Sequence, residues 1–148
     1  RDFCLSRGLG DVYKRQESYQ QPECGTDFYA PQTFLDGKGR RLMIGWLYNW
    51  DRKVPEGASY AGALSVPTEL TLRDGKVFHY PAEETQSLLR GEDEHLLRQD
   101  GVLKVTNGER ILLERPLSQV SDAAVLRDTK TCEVFLNRGE QSCTFYFI

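Results

Sequence analysis

An acid and several aromatic rings stand close together early in the chain: Asp27 and Tyr29 in "GTDFYAPQTF", then Trp46, Tyr48 and Trp50 in "RRLMIGWLYNW". Sugar rings offer apolar C–H faces that stack on aromatic planes, and hydroxyls that a carboxylate can accept from. An acid among rings on two adjacent strands therefore suits a carbohydrate pocket. The competing use of the same rings, on composition alone, is as core aromatics.

Other reactive side chains are less well placed. Glu23-Cys24 joins an acid to a thiol but has no histidine nearby in the sequence, and a loop pair is its simpler reading. His79 falls in "KVFHY" and His95 in the acidic "GEDEH". Neither stands at ligand spacing from another His, Cys or acid cluster, so no metal and no organic cofactor is expected. The four cysteines, Cys4, Cys24, Cys132 and Cys143, match neither a zinc knuckle nor a dense disulfide framework. A hairpin turning on Arg138-Gly139 would pair Cys132 with Phe145 and Val134 with Cys143. The two thiols then share a face only diagonally, too far apart for an unstrained bridge. Free thiols fit a cytoplasmic chain.

These residues need a scaffold, and short β-prone runs broken by turn signals predict an antiparallel all-β one. "FYAPQTFL" and "RRLMIGWLYNW" are joined by Asp36-Gly37 and Gly39, a tight hairpin signal. The second run is apolar on both faces and is expected to be an inner strand covered on both sides. "DRKVPEGAS", with Pro55 and Gly57, reads as a surface loop. Two further strands around Pro67, with a hairpin at Asp74-Gly75, complete a four-stranded unit. Pro81, Glu83 and Glu84 open a short helix that Gly91 closes. After the acidic "GEDEH" junction come a hairpin turning at Asn107-Gly108 and three strands in "AAVLRD", "TCEVFLN" and "QSCTFYFI". The organisation is one propeller-like blade, a helical joint and a small second β-layer.

The first sixteen residues, "RDFCLSRGLGDVYKRQ", show neither strand nor helix periodicity and no apolar core of a secretory signal. They are read as a non-native tail and set apart from the fold, with a chain that begins in mid-protein. The 148 residues can bury one good core or two small ones. With 39% hydrophobic and 28% charged residues there is no apolar run able to span a bilayer. The 19 basic residues, against 22 acidic ones, are scattered singly and leave no stripe for a phosphate backbone. Neither a membrane nor a nucleic acid is an expected partner, and the sequence sets no oligomeric state.

Three segments carry a family resemblance. "DFYAPQTFLDGKGRRLMIGW" resembles the "DFYAPQ…GW" segment of glycoside hydrolase family 32, the β-fructosidases that include invertase, sucrose-6-phosphate hydrolase and levanase. "AGALSVPTELTLRDGKVFHYPAEE" is similar to the stretch that follows it there, and "LRDTKTCEVFLNRGEQSCTFYF" to the family's closing sandwich hairpin. The resemblance covers about residues 25–148, with its segments in the family's order. It implies the last part of a five-bladed β-propeller (residues 17–80), a helical linker (81–93) and an abbreviated β-sandwich module (94–148).

Family members use a retaining mechanism with an aspartate nucleophile in "WMNDPNG", an aspartate in "RDP" and an acid/base glutamate in "EC". This chain has no "NDPNG" and no "RDP", and its "EC" at Glu23 stands too close to Asp27 to be the family's glutamate. No catalytic residue is therefore expected in it. The resemblance places Asp27 and Tyr29 on the wall of the funnel near the fructosyl subsite and Trp46 on the leaving-group side. Asp27 could instead make a structural hydrogen bond to a neighbouring blade. Thr68 stands where the family usually has arginine, which removes a structural ion pair. The expected function is that of a fragment of a β-fructofuranosidase acting on sucrose, its 6-phosphate or fructans, with a small-molecule sugar as partner. The alternatives are a stand-alone carbohydrate-binding module and a truncated product without a role of its own.

Overall fold

The computed structural model describes residues 20–51 and 61–147. The N-terminal tail, Cys4 and the loop around Pro55 and Gly57 lie outside the described residues. The chain is all-β, as its turn signals require, and its strands form three antiparallel sheets.

The first sheet holds β1 (Tyr29–Leu35), β2 (Arg41–Leu47), β3 (Ala63–Leu64), β4 (Thr68–Arg73) and β5 (Lys76–Pro81), in the order β1-β2-β4-β5 with β3 also on β2. Asp36 builds the first turn: its Oδ1 accepts from the Lys38 and Arg40 backbone N–H groups at 2.9 and 2.8 Å. β3 and β4 follow one another along the same side of β2, Leu64 opposite Trp46 and Thr68 opposite Met43. Ser65 between them bonds Gly45 through both its N–H and its hydroxyl oxygen. Pro31 is accommodated by a bulge, since the β1–β2 register shifts between Tyr29 and Gln32 and Ala30 takes φ 46°.

β2 is inner by pairing and only partly covered by packing. Leu42, Gly45 and Leu47 are buried, while Met43, Ile44 and Trp46 are half-buried, so the expected cover on both faces is incomplete. The helix expected from Pro81 to Gly91 is shorter and tighter: Pro81 ends β5, and a 3-10 helix spans Glu83–Leu88. Lys38 and Arg40 reach across to Glu84, whose hydrogen bonds to Arg40 and Lys38 hold its carboxyl down at about 2.

The other two sheets are β6-β7-β8 (Leu96–Gln99, Val102–Asn107, Arg110–Pro116) and β9-β10-β11 (Ala123–Arg127, Thr131–Leu136, Gln141–Tyr146). They share one apolar cluster that includes Leu103, Val105, Val125, Val134 and Phe145. β6 is an addition to the sequence reading, which assigned Leu96–Gln99 to no strand. The signal was Asp100-Gly101, with φ of 53° and 77°, the dipeptide that also turns β4 into β5. The β10–β11 register matches the expected one, Cys132 opposite Phe145 and Val134 opposite Cys143. Cys24, Cys132 and Cys143 are free thiols.

Candidate functional site

Alternation along the chain sends one aromatic to each side of the first sheet. Phe28 lies over Gly45, where a Cβ would stand 2.4 Å from its ring, and faces His79. Tyr29 points the other way and pairs with Trp46 across β1 and β2. On that side Trp46 and Tyr48 stack with centroids 4.3 Å apart and planes 6° apart. Trp50 stands edge-on to Tyr29, Trp46 and Tyr48 at 6.0, 5.8 and 5.2 Å.

The cluster is held from behind and open in front. Trp46 Nε1 donates to the Ala61 carbonyl at 3.1 Å. Gly62 takes φ +80° there, and a Cβ on it would meet Leu47 O at 2.5 Å and Trp46 Nε1 at 2.6 Å. Only glycine fits both the backbone angle and the indole. Asn49 ties the end of this run to the Thr26 carbonyl at 3.0 Å. Tyr29 is 49% and Trp50 67% exposed, so rings remain available for stacking.

Asp27 is placed differently from the rings. It is 0% exposed, and its Oδ2 accepts from the Thr26 hydroxyl at 2.6 Å and from the Tyr146 backbone N–H at 3.1 Å. The structure thus brings Tyr29 and Trp46 together at an open wall and sets the Asp27 carboxylate within the protein, bonded to the last strand.

Glu23, read from sequence as a loop residue, is a joint residue. The segment around it lies along β11 as an added parallel strand, with Cys24 N–H on Ser142 O at 2.9 Å and Thr26 N–H on Thr144 O at 3.0 Å. Its Oε1 accepts from the Gly25 and Thr144 N–H groups at 2.6 and 2.8 Å, and its Oε2 from the Ser142 and Thr144 hydroxyls at 2.6 and 3.0 Å. His79 adds Nε2 at 2.8 Å from Ser142 Oγ. Burial lowers the His79 pKa, against the pull of the Glu23 charge. The missed signal was the alternation of Ser142 and Thr144 with Cys143 and Phe145, which marks one polar face along the buried middle of β11.

Among the described residues no group of three or more His, Cys, Asp or Glu could hold a metal ion, and no helix is long and apolar enough to cross a membrane. What the aromatic wall can do is present flat apolar faces to a ring whose hydroxyls point outward.

The model of the glycosyl hydrolases family 32 N-terminal domain matches residues 8–81. The sucrose-6-phosphate hydrolase of Vibrio alginolyticus is 47% identical over 73 residues, 49% of this chain and 15% of that protein. The raffinose invertase of Escherichia coli is 38% identical over 82 residues, 55% of this chain and 17% of that protein. The chain thus spans less than a fifth of either relative. Among solved structures, the Bombyx mori GH32 β-fructofuranosidase superposes with a TM-score of 0.67 over 89% of this chain and 38% of that one. At 20% identity that likeness is one of fold.

Proposed function

Because the chain belongs to glycosyl hydrolase family 32, we propose that it supplies the last propeller strands and the closing sheets of a β-fructofuranosidase. The substrate class is a β-fructoside: sucrose, its 6-phosphate or a fructan. The observation that carries the reading is the open cluster of Tyr29, Trp46, Tyr48 and Trp50, on β1, on β2 and just after it, within the residues that match the family. Relatives bearing the names raffinose invertase and sucrose-6-phosphate hydrolase support the sugar chemistry.

In this reading Tyr29 and Trp46 stack on the sugar. Asp27, two residues before Tyr29, is buried and bonded to the Thr26 hydroxyl and the Tyr146 N–H, so it reaches a sugar hydroxyl only where its side chain becomes accessible. Retaining hydrolysis needs a nucleophile and an acid roughly 5 Å apart across the glycosidic bond. The "NDPNG" motif of the nucleophile occurs nowhere in the 148 residues, and Glu23 of "EC" stands too close to Asp27 to be the family's acid/base, so in this reading both reactive carboxylates belong to polypeptide outside this sequence.

The isolated chain is therefore expected to release no fructose from sucrose. Detectable turnover abolished by Asp27→Ala would overturn that assignment. Binding is tested separately, by titrating sucrose, sucrose 6-phosphate and inulin against the fluorescence of Trp46 and Trp50. A saturable change that Trp46→Ala removes is expected, and a flat response to all three sugars rejects the aromatic wall as a sugar site.

A further inference from the structure

The joint between the first sheet and the β9-β10-β11 sheet contains a second glutamate that the proposed sugar site does not use. Glu133 lies mid-strand in β10, is 3% exposed, and reaches out of its own sheet: Oε1 accepts from the Val66 N–H, between β3 and β4, at 2.9 Å. That is its side chain's one hydrogen bond among the described residues, and no Lys, Arg or His among them forms an ion pair with it. A buried carboxylate left so sparsely compensated is costly as an anion.

Its surroundings increase that cost. Thr144 lies directly opposite Glu133 on β11, and its N–H and hydroxyl are both spent on Glu23. Ser142 is committed to Glu23, Pro22 and His79. Four donors thus converge on Glu23 and one on Glu133. From the crossing segment the facing charge is Glu23, a like charge. On β10 itself the titratable neighbour is Cys132, on β9 the opposite residue is the apolar Leu126, and the loop before β4 offers only the Val66 N–H. His79, from β5, meets Ser142 and not Glu133.

We propose that this joint is a proton-dependent latch: Glu133 docks against the first sheet as the neutral acid, and its ionisation loosens the contact between the sheets. Burial, with the Glu23 charge adding to it, pushes the Glu133 carboxyl up to about 8 despite the Val66 hydrogen bond. A carboxyl whose pKa is raised by docking favours the docked form in acid. The stabilisation is complete below about 4.5 and is lost as pH rises towards about 8. His79 acts in the opposite sense, because its pKa is lowered on folding, so the difference between wild type and a Glu133 variant isolates the latch.

The test is amide hydrogen exchange on the whole chain, followed at Val66 and His79 and corrected for the intrinsic pH dependence of exchange. Between about pH 5.5 and 7.5, wild type is expected to lose about tenfold or more in protection at these amides. Glu133→Gln, which keeps an acceptor for Val66 but carries no charge, should remove that loss. An equal pH dependence in both proteins would overturn the latch. Should the variant fail to fold, titration of the carboxyl carbon of Glu133 in labelled wild type decides: a midpoint near that of an ordinary glutamate rejects the proposal, and one raised by two units or more sustains it.

Discussion

Ser142 on β11 and His79 on β5 meet across the joint between two sheets, with Ser142 Oγ 2.8 Å from His79 Nε2, and the same hydroxyl lies 2.6 Å from Glu23 Oε2. A hydroxyl has one proton to give. With the carboxylate as its closest acceptor, the imidazole must donate through Nε2–H, which leaves the buried Nδ1 as a bare acceptor. One serine therefore orients a histidine and an acid drawn from distant parts of the chain.

Removing that hydroxyl should be expensive for so small a change. Ser142→Ala takes the hydroxyl from the buried His79 Nε2, which keeps only its hydrogen bond to the Pro22 backbone, and takes one of four donors from Glu23, a loss of about 1–3 kcal/mol. Thermal or urea unfolding measures it. A variant as stable as wild type would mean that the three side chains do not form a coupled chain.

Gly25 tests the crossing segment. A Cβ on it would lie 2.0 Å from Thr144 O and 2.2 Å from Thr144 N, both backbone atoms that cannot swing aside. Gly25→Ala should cost about 1–3 kcal/mol by forcing the segment off β11. Gly37→Ala, where nothing lies within 4 Å of the added methyl, is the matched control and should be near neutral. Comparing the two denaturation midpoints checks the packing, and equal midpoints would refute it.

The thiols should differ in reactivity. Cys24 is half-buried at the sheet edge, whereas Cys132 and Cys143 are both 0% exposed. Burial pushes the Cys132 thiol up to about 12 and raises that of Cys143 as well. In native protein, iodoacetamide should modify Cys24 more than about tenfold faster than the two strand cysteines, as read by peptide mass spectrometry. Rapid labelling of all three, or a Cys132–Cys143 disulfide under mild oxidation, would contradict the register.

Much of the scaffold was legible because its signals are local. Asp74-Gly75 and Asn137-Arg138-Gly139 announce turns through left-handed backbone angles, and the first turn is announced by the Asp36 carboxylate with Gly39 as its left-handed residue where Gly37 was expected to share that role; the turns set the registers of the strands beside them. The diagonal placement of Cys132 and Cys143 followed from one such turn. β6 escaped because its few strand residues sit beside an acidic run, although Asp100-Gly101 carried the same turn signal. The short 3-10 helix differed from the expected helix because Pro81 was still needed in the ladder opposite Thr68.

By itself the sequence determined the all-β class, the hairpins, the family resemblance and the placing of Tyr29 and Trp46 on neighbouring strands; the bulge between Tyr29 and Gln32 set them opposite one another. Tertiary structure alone decided that Trp50 closes onto those rings, that Asp27 turns inward to the Tyr146 N–H, and that Glu23 and Glu133 converge on one joint. Turn chemistry and strand alternation act over a few residues and leave marks on composition. The bonds from Glu23 to Thr144 and from Glu133 to Val66 join positions 121 and 67 apart in the chain. A glutamate bound for a buried joint has the same local sequence signature as one bound for solvent, so only the docking of the sheets separates them.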